Sequence, residues 1–175
     1  MYRPILAILA SAVAVLPAYA SPASSSQLVQ EALDACLKWR GAIGRDALAK
    51  DLQVLNWSAT TTTLFSKTGP GGYVALTITG EDGGRGCRLF VRVEETPWTT
   101  EPAMQTVRSW SARALPGAAK TADRNVVISD GPARAEQWKN GPAGGVLLMI
   151  SRPTKQFAPS SDLVVSLEPA PPPKP

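Results

Sequence analysis

Gly86-Cys87-Arg88-Leu89-Phe90-Val91-Arg92-Val93 is the stretch on which the fold turns. Cys87, Leu89, Val91 and Val93 share one side of an extended chain, and Arg88 and Arg92 take the other. Alternation with a period of two is the mark of a half-buried β-strand. One of the two cysteines lies on the buried side of this strand. The other, Cys36, lies within Gln27–Arg40, where Val29, Ala32, Leu33, Cys36 and Leu37 recur at helical spacing. Gln30, Glu31, Asp34 and Lys38 lie around the opposite side, so this segment reads as an amphipathic helix. Ser24 and Gln27 are spaced for a capping box, and Gly41 is placed to stop the helix. A Cys36–Cys87 disulfide is therefore expected to staple the first helix to the sheet. The loop it closes is long enough for chain-entropy arithmetic to assign it about 4 kcal/mol.

The compartment expected for such a bond is oxidising. The N-terminus agrees: Arg3, an apolar run from Ile5 to Leu16, Pro17, and then Ala18-Tyr19-Ala20. This pattern reads as a secretory signal peptide cleaved after Ala20. The run is shorter than the roughly 20 residues of a membrane-spanning helix. The mature chain is expected in the periplasm or outside the cell, with no membrane anchor. Residues 21–26 read as a loose leader, 27–167 as one domain and 168–175 as an extended proline-rich tail. Loss of Arg3 leaves 17 basic against 14 acidic residues, a net +3. So small and scattered an excess does not point to nucleic acid.

Outward from the central strand, Asp46 opens a short helical run in which Leu48 and Leu52 lie one turn apart. Leu55 and Trp57 are expected to pack down on the sheet. Thr60–Phe65 is rich in β-branched residues and reads as a strand. Gly69–Gly72 is a turn, Tyr73–Thr79 a strand, and Gly80–Gly86 a hairpin loop back into the Cys87 strand. Thr100 is placed to cap a helix carrying Glu101 and Pro102 in its first turn, with Ala103, Met104, Val107, Trp110 and Ala114 as its stripe. Pro116-Gly117 ends it. Strands follow at Asn125–Ser129, Ala133–Lys139, Val146–Ser151 and Asp162–Leu167. The predicted class is α+β: one antiparallel sheet of six to seven strands with two to three helices on one face. The order of elements allows a tandem α-βββ repeat. A β-sandwich or barrel with peripheral helices is the alternative.

The chain contains no histidine. A Ser-His-Asp or Cys-His site is thereby excluded, along with the commonest transition-metal ligand. Glu81-Asp82 sits in a glycine-rich loop without the spaced ligands of a calcium loop. Glu94 and Glu95 are adjacent on a strand and point apart, so they do not flank one bond. Gly80, Gly83, Gly84 and Gly86 precede a strand, whereas a phosphate cradle needs a helix there. Asn56-Trp57-Ser58 matches a glycosylation sequon. No catalytic residue, cofactor or metal site is expected.

Binding is more open. Trp138 shares a strand face with Arg134 and Glu136, and Phe90 lies between Arg88 and Arg92. These five, Trp138, Arg134, Phe90, Arg88 and Arg92, form the candidate partner-binding surface, because an aromatic ring on a polar face suits a contact. The leading expectation is a non-catalytic binding or accessory module of the cell envelope, with a partner the sequence does not identify. An inhibitor or immunity-like protein acting through Gly80–Gly86 or Asn140–Gly145 is the second reading. A carboxylate-based enzyme is the third.

Overall fold

The computed structural model describes residues 24–41, 43–80, 84–129, 131–139, 145–155 and 161–169. The signal-peptide reading, residues 21–23 of the leader, residues 170–175 of the tail and the tips of both proposed inhibitory loops lie outside the described residues. So do Glu81 and Asp82. The leader reading is corrected at Ser25 and Ser26, which form the first turn of a helix, and the tail reading at Glu168, the last residue of a strand.

Helix α1 (Ser25–Arg40) starts behind Ser24, whose Oγ accepts the Gln27 N–H at 3.2 Å. Its buried stripe is Leu28, Val29, Ala32, Leu33, Cys36 and Trp39. Leu37, expected on this stripe, is instead exposed. Helix α2 (Arg45–Val54) buries Leu48 and Leu52. Trp57 packs down as expected and donates from Nε1 to Glu31 Oε2 at 3.0 Å, but Leu55 is exposed. Helix α3 (Glu101–Ala114) buries Ala103, Met104, Val107 and Trp110. Thr99, not Thr100, supplies the hydroxyl that caps it, accepting the Glu101 N–H at 3.2 Å.

Eight strands form one antiparallel sheet in the order β1-β2-β3-β4-β8-β7-β6-β5. They are β1 (Ser58–Ala59), β2 (Leu64–Gly69), β3 (Gly72–Thr79), β4 (Gly86–Val93), β5 (Ala119–Ile128), β6 (Gly131–Lys139), β7 (Val146–Ser151) and β8 (Leu163–Glu168). The sheet is open, so neither the sandwich nor the barrel forms. The predicted strand at Thr60–Phe65 is corrected: Thr60–Thr63 turns the chain between β1 and β2. β5 begins six residues before Asn125, because Ala119–Arg124 is a solvent-washed edge with no apolar alternation to reveal it. In topology the chain runs twice through a helix and a four-stranded meander, α2 with β1–β4 and α3 with β5–β8. The meanders meet at β4–β8, and α1 stands outside the repeat.

Helices α1 and α3 lie against each other on one side of the sheet, α1 over β3 and β4, α3 over β7. Beneath them runs a cross-strand row: Phe65, Leu76, Leu89, Val165, Met149, Glu136 and Asp123. Five apolar members of that row are core. Cys36 bonds to Cys87 with their α-carbons 5.9 Å apart, the usual span of a disulfide. The bond fixes α1 to the centre of the sheet. At the other end of α1, the Ser25 N–H donates to Glu95 Oε1 at 2.8 Å. Gly71 lies so close under Ser25 that a β-carbon there would collide with backbone.

Candidate partner-binding face

The two sides of the sheet differ. On the side away from the helices the register lines up Ala75, Phe90, Val164, Ile150, Ala135 and Arg124, one residue per strand across six strands. A parallel row beside it reads Thr77, Arg88, Ser166, Leu148, Gln137 and Ala122. No helix or strand among the described residues covers this outer face. Phe90, Val164, Leu148 and Ile150 are all half-buried.

Its charge is one-sided. Arg88, Arg92, Arg124 and Lys139 project here by register, with Glu168 as the acid. Arg88 donates from Nε to Ser166 Oγ at 3.1 Å and approaches Glu168 at 3.7 Å, with both side chains more than half exposed. A pair that open contributes at most about 1 kcal/mol. Arg92, Arg124 and Lys139 have no ion-pair partner among the described residues. A shallow depression of about 250 Å³ is lined by Thr77, Thr79, Arg88, Phe90 and Glu168.

The structure thus brings Arg88, Phe90 and Arg92 together on the outer face. It does not bring Trp138 and Arg134 there. By register both belong to the helix side, Trp138 opposite Leu147 and Arg134 opposite Ser151. The expectation of an exposed Trp138 is corrected: the ring is 8% exposed and belongs to the core, with the Lys120 ammonium 5.7 Å from its centre. Arg134 is held by Asp123, donating through Nε and Nη2 at 2.8 Å each.

Between them lies Glu136, fully buried, which the sequence reading passed over as one residue of a polar face. Arg108 of α3 donates to it through Nη2 at 2.6 Å and Nε at 3.2 Å, and Lys120 lies at 2.8 Å. Arg108 also meets Glu101 at 2.6 Å, and Lys120 meets Asp123 at 2.6 Å. Burial alone would push the Glu136 carboxyl up, yet the hydrogen bonds from Arg108 and Lys120 hold it below its ordinary value. Arg134 and Lys120 hold Asp123 well below the carboxylate range. Lys120 is raised in turn, chiefly by Asp123 and then Glu136. The carboxylates are therefore fixed in the ionised, paired state, a poor setting for proton transfer near neutral pH.

Beside this cluster, a groove of about 670 Å³ opens between the start of α3 and strands β5–β7. Its walls include Trp98, Met104, Asn125, Arg134 and Arg152. Arg134 is committed to Asp123, and Arg152 donates from Nε to the Ser161 carbonyl at 2.8 Å. Among the described residues, no three Cys, Asp or Glu side chains group closely enough to hold a metal ion. Comparison of the chain with protein-family models, with curated proteins and with solved structures returns no match.

Proposed function

We propose that this protein is a small exported, non-catalytic binding module of the cell envelope, which docks a partner protein on its outer sheet face. The observation that carries the reading is the row Ala75-Phe90-Val164-Ile150-Ala135, apolar, without a covering layer among the described residues, and flanked by Arg88 and Arg92. A sheet face of this kind in a folded domain is normally closed by a second layer or reserved for a partner. The disulfide suits an oxidising compartment, and no helix among the described residues is long and apolar enough to cross a membrane.

The test is a pull-down from envelope extract with the oxidised protein and two variants, followed by binding of the purified partner. Phe90→Glu places a charge in the apolar row. Val127→Glu alters an 87%-exposed valine on the helix side of edge strand β5 and serves as the control. One partner retained by wild type and Val127→Glu, and lost by Phe90→Glu, supports the reading. Equal recovery by all three refutes it.

A further inference from the structure

We infer that the outer face receives an acidic amphipathic α-helix of the partner, laid across the strands along the Phe90 row. The inference rests on the binding-module reading and adds the partner's shape and charge.

The first argument is the shape of the row. Five strand-to-strand steps separate Ala75 from Arg124. At about 4.8 Å per step the row is about 24 Å long. A helix of about 16 residues has that length. Phe90, Val164 and Ile150 stand side by side on β4, β8 and β7, half-buried, with Ala75 and Ala135 at the two ends, so they form one continuous apolar strip. Such a strip can receive the apolar side chains of a helix at i, i+3, i+4 and i+7 spacing.

The second argument is charge. Arg88 and Arg92 stand on either side of Phe90, and Arg124 closes the row at the sheet edge. Arg92 and Arg124 have no ion-pair partner among the described residues, and Glu168 is the one acid that register places on the face. Carboxylates beside the apolar stripe of an incoming helix would meet all three arginines. A second copy of this chain, docked face to face, would set arginine against arginine, so self-association is disfavoured.

The third argument lies within the molecule. The opposite face of the same sheet is closed by helices α1 and α3 over the corresponding apolar row. A helix on the outer face would add a third layer from outside, laid across the strands where α1 runs along β3 and β4 from Gly71 to Thr79.

The probe is a 16-residue synthetic peptide with leucines at helical spacing flanked by glutamates, together with a twin carrying lysines at the glutamate positions. Binding to the oxidised full chain is followed by fluorescence anisotropy and by amide shifts of outer-face residues. The acidic peptide is expected to bind about tenfold or more tightly than its twin. That advantage is expected to disappear in an Arg92→Glu/Arg124→Glu variant, whose fold is checked by circular dichroism, and to shrink in about 0.5 M salt. Equal binding of the twins, or no binding by either at about 1 mM, overturns the inference. Capture of the protein by phosphatidylglycerol vesicles without peptide binding overturns it too, as does a dimer in sedimentation that Phe90→Glu dissociates. If the peptides fail while the pull-down yields a Phe90-dependent partner, the helix is refuted and the binding module stands.

Discussion

Replacing Glu136 with leucine tests the central claim about the helix side of the sheet. The carboxylate is fully buried, with Arg108 at 2.6 Å and Lys120 at 2.8 Å. Removing one partner of a buried ion pair typically costs about 3–5 kcal/mol, because the other is left in a poor dielectric. Two features place this site at the low end. Arg108 and Lys120 retain Glu101 and Asp123 as second partners, and both side chains keep some contact with solvent. The expected loss is therefore about 3 kcal/mol. For a domain of this size that lowers the melting temperature by about 6–12 °C. The informative companion is Glu136→Leu with Arg108→Leu. An apolar pair of similar volume removes the stranded cation and should recover most of the loss. Urea and thermal unfolding, followed by circular dichroism on the oxidised protein, measure both. A single substitution costing under about 1 kcal/mol, or a double variant no better than the single, would show that Glu136 is not the buried hub described here.

Three further outcomes are expected. Changing Cys36 and Cys87 to alanine should cost about 4 kcal/mol, from the loop the bond closes; a stability unchanged within about 1 kcal/mol would mean that α1 needs no staple. Trp138→Ala should cost about 3–5 kcal/mol as a core truncation, whereas Phe90→Ala on the open face should cost far less and act on partner binding; the reverse order in urea midpoints would exchange their faces. With pH, stability should stay level from about 5 to 10 and fall beyond both ends. Asp123, Glu31 and Glu136 have native values below their ordinary ones, so their contribution is complete above the unfolded carboxyl range and fades as pH falls through the native values. Lys120 is raised, so its contribution fades only as pH climbs through its native value, above 10.5. Melting temperatures across pH, repeated with Glu136→Gln, measure this; a step near pH 6–7 would contradict it, since the chain has no histidine.

Much of the layout was legible along the chain because it rests on local rules. The apolar spacing of Leu28 to Trp39 makes a helix wherever it lies, and the alternation of Cys87 to Val93 makes a strand. Two cysteines on buried faces had one natural pairing. Edge strand β5 escaped because a strand without a buried face has no pattern to show. Trp138 was misplaced for a related reason. Arg134, Glu136 and Trp138 do share a face, and charges on a face ordinarily mean solvent. Here Arg108, from a helix 28 residues away in sequence, brings the countercharge and closes the face as core.

The sequence by itself therefore determined the class of fold, the helices, most of the strands and the disulfide. Each follows from periodicity or from the scarcity of partners. The tertiary structure alone decided which face of each strand is covered, and so which of Phe90 and Trp138 meets solvent. Alternation separates the two faces of a strand but does not say where the helices will lie. That depends on contacts between residues far apart in the chain.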